Sequence, residues 1–239
     1  MNRENSGYTI LYASIMVVMV ALALAFTHQA LSGKQTANVN IDKMQQILRS
    51  LRVDVTASQA EGKYVELVKN AYLIDRNGVK IEGSEGITPN DPAFSTDAGD
   101  ETAKGLPVYE AVVDGTAKYI LPMSGAGLWG AIWGYLSVDA DGNTVFGAEF
   151  GHAGETPGLG AEIATPKFRG RFEGKALFRE GKFTSIAIVK QGQTDKNRDY
   201  VDGISGGTIT SRGVDAMLLN SIGGYEKFLA NLHTDNQGE

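Results

Sequence analysis

Asp202-Gly203-Ile204-Ser205-Gly206-Gly207-Thr208-Ile209-Thr210-Ser211 is the segment best equipped for chemistry. Ser205, Thr208, Thr210 and Ser211 place four hydroxyls within seven positions, shortly after an acid. Gly206 and Gly207 allow positive φ and close approach of a bulky group. The next stretch, Arg212–Ile222, carries Val214, Met217, Leu218 and Ile222 at helical spacing, so Thr210 or Ser211 is expected to cap a helix. A glycine turn in front of a helix N-terminus suits a phosphate. The same residues also describe an ordinary glycine–serine turn capping a helix, and by composition alone that is the commoner case.

Two further loops are built for close backbone approach. Ser124–Gly130 is glycine-rich and ends in Leu128-Trp129-Gly130, with Trp133 four residues beyond Trp129. A tight turn with core aromatics explains that pattern equally well. His152–Glu162 contains Glu155-Thr156-Pro157-Gly158-Leu159-Gly160. Its glycines leave room for a flat ligand, and Thr156 is expected to cap a helix begun by Pro157. A carboxylate at a buried rim is costly without partners, so Glu155 is expected to accept hydrogen bonds from backbone or ligand. His152 is expected to be a solvated loop residue.

Composition narrows the chemistry. The 239-residue chain has no cysteine, which excludes disulfides, iron–sulfur clusters and thiolate metal sites. Its three histidines, His28, His152 and His233, are far apart and none has a partner at metal-ligand spacing. No metal site is expected, and any redox chemistry here needs an organic cofactor. A formal charge of -6 argues against a nucleic-acid surface. No G-x-G-x-x-G follows a strand to open a helix, and no H-E-x-x-H occurs.

The elements that must position these loops follow a clear pattern. Ile10–Phe26 is apolar apart from Tyr12 and Ser14, and no charged residue lies between Glu4 and Lys34. That length suits a bilayer-spanning helix. Its apolar run is longer than a typical signal peptide core, although Ala21-Leu22-Ala23 and Ala23-Leu24-Ala25 resemble small-residue cleavage sites. With no ionisable group inside it, the helix is expected to anchor and pack rather than conduct an ion. Ile41, Met44, Ile47, Leu48 and Leu51 then predict an amphipathic helix that packs on the main domain. Tyr64–Ile74 fits a helix end or a strand, and Asp91–Gly105 reads as an exposed loop. Val108–Val113 and Lys118–Met123 flank Asp114-Gly115, a hairpin signature, and Ala131–Val138 and Val145–Phe150 flank a second turn. Phe183–Val189 is a further predicted strand. The sum is an α+β domain with an antiparallel sheet and flanking helices behind a single N-terminal transmembrane helix.

Ser205–Ser211, preceded by Asp202, resembles a flavinylation motif that reads Asp-x-x-Ser-Gly-Ala-Thr followed by another Thr and a Ser. Gly127–Gly130 and Glu155–Gly160 resemble two further signatures of the same family, Gly-Leu-Trp-Gly and Glu-Thr-Pro-Gly-Leu-Gly. Together with the anchor, they make the chain similar to the C-subunits of the sodium-translocating NADH:quinone reductases. The similarity runs from the anchor to about Tyr225, with little contribution from Thr56–Gly105. One residue departs from the pattern: Gly207 stands where the family usually has Ala.

The resemblance implies FMN held through a phosphoester to Thr208, with Asp202, Gly203, Ser205, Gly206, Gly207, Thr210 and Ser211 completing the motif. Asp202, Ser205, Gly206 and Gly207 would shape the loop for a flavin transferase, and Asp202 would help orient that enzyme's metal ion. Leu128, Trp129, Glu155, Thr156, Gly158 and Leu159 would contact the flavin. It implies a tail at 1–7, an anchor at 8–31, a juxtamembrane helix and irregular region at 32–105, the FMN-binding domain at 106–230 and a tail at 231–239. It further implies an electron relay in a complex of the bacterial inner membrane, with its domain on the outer side and no NADH site of its own. The partners would be the other reductase subunits, the transferase during maturation and the lipid bilayer. The homologous G-subunit of the ion-translocating ferredoxin:NAD reductase shares the anchor and flavin motif. An anchored assembly module without flavin is the alternative from another class.

Overall fold

The computed structural model describes residues 6–100 and 102–235. Helix α1 runs unbroken over Ser6–Ser50. The chain forms two compact units that meet between Asp42 and Lys43 within this helix.

The first unit is helical throughout its described residues, and its apolar side chains are exposed on every side. Ile10, Val17, Leu22, Leu24 and Phe26 are each at least 66% exposed. Its most apolar 18-residue window has a mean hydropathy of 2.4. A helix apolar all round is built for hydrocarbon.

The second unit is built on a five-stranded antiparallel meander in the order β1-β2-β3-β4-β5. The strands are β1 Val68–Ile74, β2 Leu106–Val113, β3 Thr116–Ala126, β4 Ala131–Asp139 and β5 Val145–His152. Asp114 and Gly115 both adopt positive φ, 50° and 76°, and so form the two-residue turn expected between β2 and β3. The β4–β5 turn is held by Asp141, whose carboxylate accepts from the N–H groups of Asn143 and Thr144 at 2.9 and 2.8 Å. Helix α2, Ala57–Leu67, leads directly into β1. The Tyr64–Ile74 stretch therefore holds a helix end and then a strand, and the sheet draws its first strand from the region read as juxtamembrane and irregular.

Side chains alternate across the sheet with the period of two that a pleated strand imposes. Val108, Leu121, Met123, Ile132, Leu136 and Phe150 belong to the main core with Val214, Met217, Leu218 and Ile222. These last four come from α5, Thr208–Met217, and from the π-helical turn Leu218–Ile222 that follows it. Phe150, Phe168 and Phe172 form a ring cluster with centroids 5.0–5.4 Å apart. Trp133 and Ser137 point the other way. Trp133 donates its indole N–H to Gln46 Oε1 at 2.9 Å, and Ser137 donates to the Ser50 carbonyl at 2.6 Å. The last turns of α1 thus pack on that face, burying Met44, Ile47 and Leu48 as the amphipathic pattern predicts.

One ion network fixes this contact. Glu149 is buried and accepts from Arg49 Nε at 2.7 Å and from Arg169 Nη1, while Arg169 also pairs with Asp54 at 3.2 Å. A carboxylate so deeply placed is tolerated because both partners neutralise it.

Two local expectations are corrected. Asp91–Gly105 is not simply an exposed loop: Pro92–Ser95 forms a helical turn, α3, that buries Ala93 and Phe94. Phe183–Val189 is not one strand. Ser185 turns to φ 59° and splits it. Phe183 then pairs with Phe178 in the short β6–β7 hairpin, Phe178–Arg179 with Lys182–Phe183. Ala187–Val189, β8, instead pairs in parallel with β9, Tyr200–Asp202.

Candidate functional site

The hydroxyl-rich segment leaves β9 at Asp202 and enters α5 at Thr208. Neither Thr210 nor Ser211 caps that helix, because it starts earlier than the spacing predicts, with Gly207 at the N-cap. Both hydroxyls have other partners. Thr210 is buried and donates to Glu155 Oε2 at 2.6 Å. Ser211 is buried and accepts from the Ile204 N–H at 2.9 Å, folding the loop back on its own helix. The exposed Thr208 and Ser205 are left, and neither hydroxyl has a hydrogen-bond partner among the described residues. Thr208 is the first residue of α5, where no side chain caps the leading N–H groups. A phosphate oxygen there would find unpaired donors and the favourable end of the helix dipole.

The two glycines behave differently. Gly206 has φ 75°, and a Cβ there would lie 2.6 Å from Leu159 Cδ2, so this position needs glycine twice over. Gly207 has φ -106°, and an added Cβ would lie 3.1 Å from Ile204 and 3.3 Å from the Gly160 nitrogen. An alanine there requires small shifts, of a few tenths of an ångström, of the Ile204 side chain and of the Gly160 backbone. Gly207→Ala is therefore expected to keep the fold and to change stability by about 1 kcal/mol or less, as removal of glycine's unfolded-state freedom offsets the tight contact. A thermal melt checks this, and a large loss of stability would contradict the geometry.

Glu155 joins the three sequence signatures. Only 4% of it is exposed. Its Oε1 accepts from the Trp129 N–H at 2.8 Å and its Oε2 from Thr210. A Cβ on Gly160 would lie 2.3 Å from Oε2, so the absence of a side chain there makes room for the carboxylate. Its own N–H donates to His152 Nδ1 at 3.3 Å, which gives the last residue of β5 a structural partner. Burial pushes the Glu155 carboxyl up. The Thr210 hydroxyl, the Trp129 and Leu128 N–H groups and nearby His152 outweigh this and hold it below the usual carboxylate range. The expectation that Glu155 accepts backbone hydrogen bonds is met. Thr156 caps no helix: its carbonyl accepts from Leu159 and Ala161 in a turn, and a 3-10 helix follows over Gly160–Ala164.

Around this carboxylate the surface is unusually apolar. Trp129 is 67% exposed, and Leu128, Leu159 and Ile209 are also exposed. Thr156 and Gly158 are exposed as well. Such side chains on flanking loops beside a free hydroxyl suit a flat aromatic ligand attached at that hydroxyl. The residues present therefore fit FMN.

Some positioning residues escape the sequence reading. Arg171 Nη1 donates to the Asp202 carbonyl at 2.5 Å and pins the start of the loop. Arg198 and the Ile188 N–H both donate to Asp215 Oδ1, tying α5 to β8. Gly203-Ile204-Ser205-Gly206-Gly207 also spells G-x-S-x-G between a strand and a helix. Among the described residues the Ser205 hydroxyl makes no hydrogen bond to a histidine or carboxylate, the pairing that would activate a serine nucleophile.

Residues 127–223 match the FMN-binding domain family, and fold and site together define the class: a flavin-binding domain behind an apolar N-terminal helix. The C-subunit of the Na(+)-translocating NADH-quinone reductase of Vibrio campbellii is 32% identical, over 93% of this chain and 90% of the relative. The C-subunit of the Pseudomonas aeruginosa reductase is 31% identical over 97% of both chains. The crystal structure of the C-subunit from Parabacteroides distasonis superposes with a TM-score of 0.77 at 54% identity, covering 83% of this chain and 96% of that one. The chain belongs to the family of C-subunits of the Na(+)-translocating NADH-quinone reductases.

Proposed function

We propose that this chain is the electron-relay subunit of a sodium-exporting NADH:quinone reductase and carries FMN bonded through its phosphate to Thr208. The observation that carries the reading is Thr208 itself: an exposed, unpartnered hydroxyl on the first residue of an uncapped helix, beside Trp129, Leu159 and Ile209. When bound, FMN accepts and passes on electrons.

The chain's own residues bind and orient it. Thr208 supplies the ester oxygen. The leading N–H groups of α5 face the phosphate, an effect worth about 0.3–1 kcal/mol per charge at a helix end. Leu128, Trp129 and Leu159 offer apolar cover to the ring, and Thr156 and Gly158 line its approach. Glu155 acts on the flavin by holding the Trp129 loop and Thr210 in register. Asp202, Gly203, Ser205, Gly206 and Gly207 present the exposed turn that a flavin transferase must grip. A covalent bond suits a carrier on the outer side of the membrane, where lost flavin is not replaced. The apolar part of α1 anchors the protein in lipid, and a neighbouring subunit binds NADH and passes the electrons on to this one.

Intact mass and tryptic mapping of protein purified from its own membranes test this. A gain of one FMN less one water on the Asp199–Arg212 peptide is expected. The unmodified peptide from active membranes would overturn the reading and leave an assembly subunit.

A further inference from the structure

The domain buries two glutamates on opposite terms. Glu149 lies between Arg49 and Arg169, which cancel its charge. Glu155 is buried as deeply, and among the described residues no lysine or arginine pairs with it. Its partners are dipoles: the Thr210 hydroxyl at 2.6 Å, the Trp129 N–H at 2.8 Å and the Leu128 N–H. Together with nearby His152 they outweigh burial, and the group stays ionised at neutral pH. Dipoles hold such a charge in place without cancelling it, and in the protein interior its field carries further than in water.

Structure alone does not call for that charge. A glutamine of the same shape could accept from the Trp129 N–H through its oxygen and donate to the Thr210 oxygen through its amide. A buried ionised group without a counter-charge is the kind of feature that adjusts chemistry at a site. Its bonds place it at this one. Thr210 follows Thr208 by two residues on α5, and Leu128 and Trp129 belong to the loop that covers the ring. One electron entering the ring adds one negative charge unless a proton comes with it. A carboxylate fixed beside the ring's seat opposes that arrival.

We infer that the Glu155 carboxylate lowers the reduction potential of the flavin on Thr208, acting as a fixed negative charge beside it. The relay is thereby a better electron donor to the next carrier. The inference rests on the FMN reading above, and it gives Glu155 an electrostatic role in addition to holding the loops.

The test is a mediated spectroelectrochemical titration of the flavin-bearing full chain in detergent, at fixed pH. Glu155→Gln is expected to favour the first electron by about tenfold, a rise of about 59 mV. Because the charge is buried, the gap from wild type is expected to persist in high salt. Thr210→Val is the structural control: it breaks one of the same hydrogen bonds and keeps the carboxylate, so its potential is not expected to rise. An unchanged potential in Glu155→Gln, a gap that closes in high salt, or an equal rise in Thr210→Val would each overturn the inference. A second readout needs no variant. Redox-difference infrared spectra of wild type carrying isotope-labelled glutamate are expected to show a perturbed glutamate carboxylate band, and its absence would also overturn the role. Peptide mapping separates the two readings: flavin on Thr208 with a potential indifferent to Glu155→Gln removes the tuning role alone, whereas an unmodified wild-type peptide removes the FMN reading itself.

Discussion

Replacing Thr208 with alanine is expected to yield a folded, colourless protein, with complete loss of acid-stable flavin. The hydroxyl it removes is exposed and bonds to nothing in the fold, so stability should change by no more than about 0.5 kcal/mol. The neighbouring hydroxyls sharpen the experiment. Thr210 and Ser211 are buried and occupied, one by Glu155 and the other by the Ile204 N–H, so neither can take over without dismantling the site. Ser205 is the remaining free hydroxyl and lies on the same tryptic peptide. Acid precipitation followed by mapping of Asp199–Arg212 therefore reads both possibilities. Flavin persisting on that peptide in the variant would transfer the assignment to Ser205. Flavin persisting elsewhere in denaturant would end it for this loop.

Glu155→Ala is expected to be the most damaging substitution at the site that leaves Thr208 untouched. It strands the buried Thr210 hydroxyl and the Trp129 N–H, and a stranded buried donor costs roughly 1–3 kcal/mol. At roughly 2–4 °C per kcal/mol for a domain of this size, the melting temperature should fall by about 5 °C or more. Glu155→Gln retains the volume and one acceptor and should fall less. The carboxyl also confers a pH dependence. Its value in the folded protein lies below that of an unfolded glutamate, because the donors around it outweigh burial. The stability it contributes is therefore fully present above the unfolded value, near pH 4.3, and is lost as pH falls through the folded value. Melting temperatures of wild type and Glu155→Gln, measured from pH 7 downwards, should converge below about pH 4. A gap that stays constant into that range would show that the Glu155 charge does not organise these loops.

Much of this protein was legible in its residues because the signals are local. An apolar run without charge specifies a hydrocarbon-spanning helix wherever it occurs. Asp114-Gly115 specifies a tight hairpin because both positions need positive φ, and the strands on either side inherit their register from it. The spacing of Val214, Met217, Leu218 and Ile222 marks a buried helical face whatever it packs against. The three motif loops could be recognised one by one, Thr208 among them. What joins them could not. Glu155 and Thr210 are 55 residues apart, and Glu155 and Trp129 are 26 apart. Only the stacking of β3, β4 and β5 against α5 brings them within hydrogen-bonding distance. The same is true of where α5 begins. Local propensity favours Thr210 or Ser211 as the cap, but the energy of satisfying a buried carboxylate and the Ile204 N–H claims both hydroxyls for other partners. Thr208 is left at the helix start with a free oxygen. Residue types and spacing thus determined the anchor, the hairpins and the candidate hydroxyls. Tertiary packing decided which hydroxyl stays available, because that depends on which buried polar groups elsewhere in the fold need partners.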